Sequence, residues 1–397
     1  MANGDLFSLS GMYSPVQIVD QVISQAIKMQ ASDILFEPQD KNVIVRLRVD
    51  GALQKFGQMA IGSYEQVLAR IKVVGNMDVA ENWKPQENKI SLEVDGHPYA
   101  LRVEVVTTNF GQMAALRVLD MPQFVDFQQL GMSTQLADNV KKSISGRYGL
   151  FLVCGPTGAG KTTTVHSCLK YLNNEEVNIV TIEDPVEYIV PGLNQIEVGR
   201  RVGLDFVSGL KTMLRLNPDI VFVGEIRDAE TAKIAIQASL TGHLVISTIH
   251  ARGSVGALYR LLNLGVDKYM LNYALRGVLS QRLMRRVCEK CKEIYTPTSD
   301  EIEQFTKING QPPGQLMHGK GCDECHNSRY KGRVGIYEFL NIDDTVRRLV
   351  LSGADESQFG EELAKNNWQG MDKDGLRLVG DGVTSIREYF RTMYDAK

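Results

Sequence analysis

The chain is 397 residues long, 43% of them hydrophobic, and it carries a formal net charge of −3. That length is sufficient for two or three domains, and the balanced charge excludes a surface that is basic throughout, as in many nucleic-acid-binding proteins. The sequence has neither a secretory signal nor an apolar run near the roughly 18 residues that cross a membrane, which predicts a cytosolic protein.

The first 120 residues predict a small α+β domain. A helix is expected to begin at Ser14 and Pro15, because serine suits the N-cap and proline the first turn. In the strand predicted over 42–49, apolar residues alternate with Arg46 and Arg48, which places both arginines on one face. The other predicted segments are a helix over 64–79 and strands over 34–36, 90–94, 99–106 and 113–118.

A turn-rich linker is predicted over 121–132, beginning in the sequence Asp120-Met121-Pro122-Gln123. From there to about Gln281, strands alternate with helices, which is typical of a parallel sheet with helices on both faces. The predicted segments are helices over 133–144 and 163–172 and strands over 150–154, 178–182, 219–223 and 244–248.

A complete phosphate-binding loop of the form GxxxxGK[ST] lies between a predicted strand and a predicted helix. Its glycines allow backbone N–H groups to approach phosphate oxygens, Lys161 reaches the β- and γ-phosphates, and Thr162 offers a hydroxyl to Mg²⁺. The sequence therefore predicts a nucleoside triphosphate site. Its residues are Gly155, Pro156, Thr157, Gly158, Ala159, Gly160, Lys161, Thr162 and Thr163.

Acidic and histidine residues follow three of the later strands, at the edge where an open α/β sheet places its site. Glu225 has the position expected of a carboxylate that handles Mg²⁺ or orients the attacking water. Glu183 follows the strand predicted over 178–182, and His250 is interpreted as a sensor of the γ-phosphate. Taken alone, the Glu-Asp-Pro sequence at 183–185 is equally compatible with a simple turn, and a lone histidine is more often structural.

Two CxxC pairs predict a metal site. Cys288 and Cys291 are followed by Cys322 and Cys325, which offers four soft ligands on two tight turns, as tetrahedral Zn²⁺ prefers. The alternative to a metal site is that the two CxxC pairs occur by coincidence. Cys154 and Cys168 stand apart and are interpreted as buried thiols.

These motifs together resemble the secretion ATPase family that powers type II secretion and type IV pilus machines. The phosphate loop is followed by Thr181-Ile182-Glu183-Asp184-Pro185-Val186-Glu187, by Val223-Gly224-Glu225-Ile226-Arg227-Asp228 and by Ser247-Thr248-Ile249-His250. They are similar to the family's aspartate box, Walker B motif and histidine box. The resemblance begins near residue 14 and covers nearly the whole chain.

The resemblance implies an α/β fold with a RecA-like phosphate-loop core. It divides the chain into a pre-catalytic α+β, PAS-like domain (1–120), the linker, the core (133–285), a tetracysteine zinc element (286–330) and a helical C-terminal region (331–397). It also implies a homohexamer that hydrolyses ATP at subunit boundaries, at the cytoplasmic face of the inner membrane, with an inner-membrane platform protein as partner and no nucleic acid.

Within that family, the implied roles are assigned to individual residues. Glu225 polarises the water, Glu183 supports metal or water, and His250 senses the γ-phosphate. Arg46 and Arg48 are the candidate arginine fingers, with Arg70, Arg102 and Arg117 behind them. The tetracysteine element is typical of the assembly and secretion branches, which favours an extension motor over a retraction motor.

Three features depart from the family's pattern. Asn217 stands where many relatives have Asp, Lys89 stands where an arginine is usual, and the large N-terminal docking domain of many members is absent from this sequence. Two other function classes remain open: a nucleic-acid-handling RecA-like ATPase, and a scaffold that binds nucleotide without turning it over.

Overall fold

The computed structural model describes residues 7–8, 14–119, 125–187, 189–199, 203–366 and 368–394. The chain divides into two compact units, Met1–Pro122 and Gln123–Lys397. The turn predicted at residues 120–123 lies outside the described residues, which end at residue 119 and resume at residue 125.

The first unit combines helices with a sheet in the order β1-β4-β3-β2-β7-β6-β5. Neighbouring strands are antiparallel, except that β1 is parallel to β4. Its elements are β1 (Phe7–Ser8), α1 (Pro15–Lys28), β2 (Ala31–Pro38), β3 (Asn42–Val49), β4 (Ala52–Ala60), α2 (Ile61–Val74), β5 (Gln86–Val94), β6 (His97–Thr108) and β7 (Gly111–Leu119).

Local sequence signals account for much of this unit. Ser14 caps α1 in a capping box with Gln17, as its N-cap position predicts. In β3, Val45 and Leu47 are fully buried, so the predicted alternation is observed and Arg46 lies on the opposite face. The strand β4 was not predicted from its mixed composition; it follows a turn in which Asp50 and Gly51 both have positive φ, the geometry of a tight hairpin.

The second unit is an α/β fold whose sheet has the order β10-β9-β11-β12-β8-β13-β16. Every neighbouring pair is parallel except β13 with β16. Its elements up to the end of β13 are α3 (Thr134–Ile144), β8 (Gly149–Cys154), α4 (Lys161–Leu172), β9 (Ile179–Glu183), β10 (Asn194–Glu197), α5 (Phe206–Met213), β11 (Ile220–Val223), α6 (Ala229–Leu240), β12 (Leu244–Ile249), α7 (Ser254–Asn263), α8 (Lys268–Ala274) and β13 (Leu275–Val287).

Strand β8 shows how this sheet is covered on both faces. Leu150 and Leu152 belong to one buried cluster, whereas Phe151 and Val153 belong to another. All residues of β8 are buried, as the continuous apolar run predicts for a central parallel strand. The strand therefore holds the loop that follows it in a rigid frame.

The C-terminal part differs from the prediction of a helical region over 331–397. It begins with β16, which pairs with β13 and extends the core sheet, because Val334 and Ile336 point into a buried cluster. The elements after β13 are β14 (Lys292–Tyr295), α9 (Ser299–Asn309), β15 (Leu316–Gly319), a short 3₁₀ turn (Asp323–Cys325), β16 (Tyr330–Asn341), α10 (Asp344–Ser352), α11 (Glu356–Lys365), α12 (Met371–Gly380) and α13 (Ile386–Met393).

The residues predicted as the later part of the linker also pack into the second unit. Phe127 and Met132 are buried in a cluster with Val140 of α3 and Phe151 of β8. Residues 125–132 therefore belong to the core rather than to an open connection. Among the described residues, no helix is both long enough and apolar enough to cross a bilayer.

Candidate functional site

The phosphate loop connects β8 to α4, as predicted. Gly155, Gly158 and Gly160 all have positive φ, and Gly160 is the N-cap of α4. A Cβ on Gly155 would lie 2.4 Å from the carbonyl oxygen of Gln281, so this position excludes every larger residue. The loop's shape thus depends on glycine both for its dihedral angles and for its contact with β13.

Lys161 spans the loop. Its Nζ donates to the carbonyl oxygens of Gly155 at 2.9 Å and Pro156 at 3.0 Å. Burial lowers the pKa of Lys161, while the charge of Glu225 acts in the opposite direction. Thr162 and Thr163 follow in the first turn of α4 with exposed side chains. Lys161, Thr162 and Thr163 therefore all lie in the first turn of α4, directly after the loop.

Gln281 of β13 braces the loop from the neighbouring strand. Its Nε2 donates to the carbonyl oxygen of Ala159 at 2.7 Å, and the side chain is buried. Leu283 packs close to Gly160 on the same side. Sequence reasoning gave Gln281 no role at the site, because only the parallel pairing of β13 with β8 brings it there.

Glu225 and His250 lie together beyond the carboxyl ends of β11 and β12. His250 Nε2 is 3.1 Å from Glu225 Oε1, and Arg227 Nε donates to Glu225 Oε2 at 2.8 Å. Backbone and hydroxyl contacts fix the loop: Ile226 N donates to the Thr248 carbonyl at 2.9 Å, and Thr248 Oγ1 donates to the Gly224 carbonyl at 2.7 Å. The contact between Arg227 and Glu225 was not predicted from the sequence.

Glu183 is buried at the end of β9. Its Oε1 accepts hydrogen bonds from Thr181 Oγ1 at 2.6 Å and Gln195 Nε2 at 3.1 Å, and its Oε2 lies 3.8 Å from His166 Nε2 of α4. Burial favours the neutral acid, but the hydrogen bonds from His166, Thr181 and Gln195 outweigh it and hold the pKa of Glu183 below its usual value. The carboxylate therefore joins β9 to the helix that begins with Lys161.

The candidate arginines lie in the first unit, where several are paired with carboxylates. Arg46 donates from Nε to Glu37 Oε2 and from Nη2 to Glu37 Oε1, which makes a bidentate pair between adjacent strands. Arg48 and Arg117 both approach Asp33, each with an Nε to carboxylate distance of 3.1 Å. Of the remaining candidates, Arg102 lies 3.4 Å from Glu87 and Arg70 lies in α2 with a buried Nε.

Lys89, which stands where an arginine is usual, lies in β5 opposite Arg102 of β6. Asn217 precedes β11 and adopts a positive φ of 49°. Asparagine tolerates that left-handed conformation better than most residues, which gives this position a structural explanation.

The four predicted metal ligands converge. Their Sγ atoms all lie within 4.8 Å of one another. The Cys288–Cys322 and Cys291–Cys325 Sγ distances are 3.8 Å, and the Cys322–Cys325 distance is 3.7 Å. A tetrahedral site with Zn–S bonds of about 2.3 Å has sulfur–sulfur edges of about 3.8 Å, whereas a disulfide needs about 2.05 Å. The arrangement therefore fits a tetrathiolate metal ion and not two disulfides.

Backbone donors support this cysteine cluster. Gly321 N donates to Cys291 Sγ at 3.4 Å, and Cys322 N donates to Cys325 Sγ at 3.3 Å. Burial works against ionisation of Cys325, but the N–H groups of Cys322 and Arg329 outweigh it and lower the pKa of its thiol. Cys154 and Cys168 are buried elsewhere in the second unit, as expected of structural thiols.

A family model described as "Type II/IV secretion system protein" matches residues 11–391 of the chain. Type II secretion system protein E of Pseudomonas aeruginosa is 39% identical over 378 residues, which are 95% of this chain and 75% of that protein. The type IV pilus assembly ATPase PilB of Thermus thermophilus is 39% identical over 377 residues, 94% of this chain but 42% of that longer protein.

Solved structures with a similar fold span nearly the whole chain. The ATPase DotB of Legionella pneumophila superposes with a TM-score of 0.71 at 21% identity, covering 97% of this chain and 98% of DotB. The pilus retraction motor PilT with bound ADP superposes with a TM-score of 0.62 at 25% identity, covering 94% of this chain and 95% of PilT. Because DotB is only 21% identical to this chain, its similarity shows the fold alone.

Proposed function

Since the chain belongs to the family of type II/IV secretion system proteins, we propose that it is an ATPase motor that drives assembly of a type IV pilus or a type II secretion pseudopilus. One observation carries this proposal. The Glu225 carboxylate contacts His250 at 3.1 Å, and its charge acts on Lys161 of the phosphate loop. Glu225 and His250, proposed to act in catalysis, and Lys161, proposed to bind phosphate, all follow parallel strands at the carboxyl edge of one sheet.

ATP would be held by the loop from Gly155 to Thr163. The Lys161 ammonium, which spans the loop carbonyls, is placed to exchange those contacts for phosphate oxygens. Mg²⁺ would be held through the Thr162 hydroxyl, and when bound it neutralises charge on the phosphates. Gln281 keeps the loop in the conformation that presents its N–H groups.

Glu225 orients and polarises the attacking water, and His250 senses the γ-phosphate while contacting that carboxylate. Glu183 supports the metal or the water as a positioning residue, and contacts with Thr181, Gln195 and His166 orient its carboxylate. We propose that Arg46 and Arg48 approach the developing charge as arginine fingers. This role requires both to exchange their carboxylate partners during the cycle.

The assembly that this chemistry serves is a homohexameric ring. ATP would be hydrolysed at subunit boundaries, and movement of the first, PAS-like unit against the RecA-like second unit would deliver the mechanical stroke. The ring would act at the cytoplasmic face of the inner membrane, on a platform protein of the pilus or secretion machine. Relatives named for the two systems are both 39% identical to this chain, so the proposal covers both systems.

The cysteine cluster would hold one structural Zn²⁺ through Cys288, Cys291, Cys322 and Cys325. Bound there, the metal would join the end of β13 to the segment before β16, and both strands belong to the core sheet. The presence of this element favours an extension motor over a retraction motor.

One set of assays separates the proposed motor from the two other function classes. ATP turnover should rise with a cytoplasmic fragment of the platform protein or with lipid, and should not rise with single- or double-stranded DNA. Stimulation by DNA alone would instead indicate a nucleic-acid-handling ATPase. Saturable ATP binding without turnover under every condition would indicate a nucleotide-gated scaffold.

A further inference from the structure

A cavity of about 220 Å³ lies in the second unit, away from the phosphate loop. It is lined by residues of α3, of the start of β13 and of the β16–α10 junction. The start of β13 pairs with the start of β8, and β8 then runs to the phosphate loop. At about 3.3 Å per residue, a strand of this length separates the cavity from the loop by roughly 17 Å.

The lining of the cavity is strongly basic. Lys142, Arg276 and Arg347 contribute the charged groups. Its other polar lining residues are Asn139, Ser143 and Asn341. No carboxylate lines the cavity in the described part of the chain. The side chain of Asp343, which follows closely in sequence, is used to cap α10 by accepting from Val346 N at 2.9 Å.

Arg276 is held in place by the backbone around it. A Cβ on Gly146 would lie 2.3 Å from Arg276 Nη2, and a Cβ on Gly149 would lie 2.4 Å from Arg276 Cγ. The two glycines therefore make room for the side chain to lie against the amino end of β8. Gly277 pairs with Asn341 across β13 and β16, which brings the lining groups of both strands together.

The basic groups retain capacity to bind an anion. Arg347 Nη1 donates to the carbonyl of Asn272, which fixes one edge of its guanidinium group and leaves other donors. None of the ion pairs found among the described residues involves Lys142, Arg276 or Arg347. Three cations gathered around one space repel each other, and an anion between them relieves that repulsion.

We propose that this cavity is a second ligand site, which binds a small anion with a phosphoryl-type group. Guanidinium groups match the geometry of phosphate oxygens and bind them in pairs of hydrogen bonds. The volume of about 220 Å³ is below the roughly 300 to 1,000 Å³ of sites for drug-sized ligands, so the cavity has room to enclose a phosphate-sized group. The ligand is either free inorganic phosphate or the phosphate group of a small monoester.

Titration calorimetry with inorganic phosphate tests the proposal on the full chain, saturated with Mg²⁺ and ADP so that the phosphate loop is occupied. The variants are Arg276→Gln and Lys142→Gln. The matched control is Arg348→Gln, which removes the same charge one residue from Arg347, from a side chain that contacts Thr345 Oγ1 and does not line the cavity. Lys142 is exposed, so Lys142→Gln remains informative if Arg276→Gln fails to fold.

The expected result is saturable phosphate binding that each cavity variant weakens by about tenfold or more, with Arg348→Gln unchanged. The absence of saturable binding would overturn the proposal, as would equal affinity in the cavity variants or equal loss in the control. Glycerol 3-phosphate serves as a second probe. Tighter binding of glycerol 3-phosphate than of phosphate assigns the site to a monoester, and the reverse assigns it to the free ion.

Discussion

The Nε2 atom of Gln281 lies 2.7 Å from the carbonyl oxygen of Ala159, and this hydrogen bond joins β13 to the phosphate loop. The carbonyl oxygen of the same residue also approaches Gly155 closely enough to exclude a side chain there. One residue of a neighbouring strand therefore fixes both ends of the loop.

Gln281→Leu should weaken nucleotide binding by about tenfold, because the buried Ala159 carbonyl loses its donor and the loop loses a constraint. The measurement is the affinity for ADP together with the KM and kcat for ATP. Gln135→Leu, at an exposed position of α3, is the control. An unchanged ADP affinity in a folded Gln281→Leu protein would mean that Gln281 does not position the loop.

Purified protein should contain one Zn²⁺ per chain. Replacing any one of Cys288, Cys291, Cys322 or Cys325 by Ser should release the metal and lower stability by several kcal/mol, since metal binding is coupled to folding. Elemental analysis and thermal unfolding measure both effects. The double variant Cys154→Ala/Cys168→Ala should keep its zinc. Protein free of zinc, with four reactive thiols in this element, would rule the site out.

Much of this organisation was predictable because its signals are local. Ser14 caps α1 as the sequence predicts, and the helix predicted over 133–144 is observed as α3. The loop before Lys161 is recognisable because only glycines tolerate its dihedral angles, and Glu225 and His250 follow apolar strands whose carboxyl ends share one edge. Each of these signals spans only a few consecutive residues.

What could not be predicted depends on pairing between distant parts of the chain. Gln281 reaches the loop only because β13 lies beside β8. The sequence predicts a helical region over 331–397, but residues 330–341 form β16 because they pair with β13, a contact between distant parts of the chain. His166 lies near Glu183, and Arg46 binds Glu37, through packing that no local pattern encodes.

Glu388 should make the C-terminal region sensitive to acid. Its side chain is fully buried and accepts hydrogen bonds from Arg285 and Arg391. Burial opposes ionisation, but these arginines outweigh it and hold the pKa of Glu388 below its usual value. Glu388→Gln should therefore lower stability at neutral pH by about 3 kcal/mol, because it leaves two arginine contacts uncompensated.

The sign of the pH dependence follows from the lowered pKa. The contribution of Glu388 is complete above the pKa of a glutamate in the unfolded chain, about 4.3, and is lost as the pH falls through the lower folded pKa. Denaturation midpoints of the wild type and Glu388→Gln should differ equally at pH values of about 7 and 5.5 and converge below about 4. A difference that grows on acidification would contradict this assignment.

Arg46→Ala and Arg48→Ala should each reduce ATP turnover far more than an ordinary surface substitution, since arginine fingers contribute roughly 10³ to 10⁵ in rate. Glu37→Gln is the matched control for Arg46: it removes the partner carboxylate and keeps the arginine. If Arg46 only stabilises the first unit, both variants should lower stability and activity alike.

The ring proposal adds a complementation test for the same arginines. Mixing the Lys161→Ala chain with the Arg46→Ala/Arg48→Ala chain should restore activity if the fingers act on a neighbouring subunit. The specific activity of the wild type should also rise with protein concentration as hexamers form. A monomeric protein with undiminished activity after both arginine substitutions would exclude the finger assignment.

The assignment of Lys161 to phosphate binding and of Glu225 to water positioning is tested most directly by comparing Lys161→Ala with Glu225→Gln. ATP affinity and turnover are measured separately for each variant. A phosphate cradle acts in the ground state and the transition state, whereas water positioning matters mainly in the transition state. Glu230→Gln, an exposed carboxylate paired with Lys211, is the control. We expect Lys161→Ala to lose ATP binding, and Glu225→Gln to keep ATP bound while losing at least about 100-fold in kcat. Near wild-type turnover in Glu225→Gln would contradict the assignment of Glu225 to water positioning.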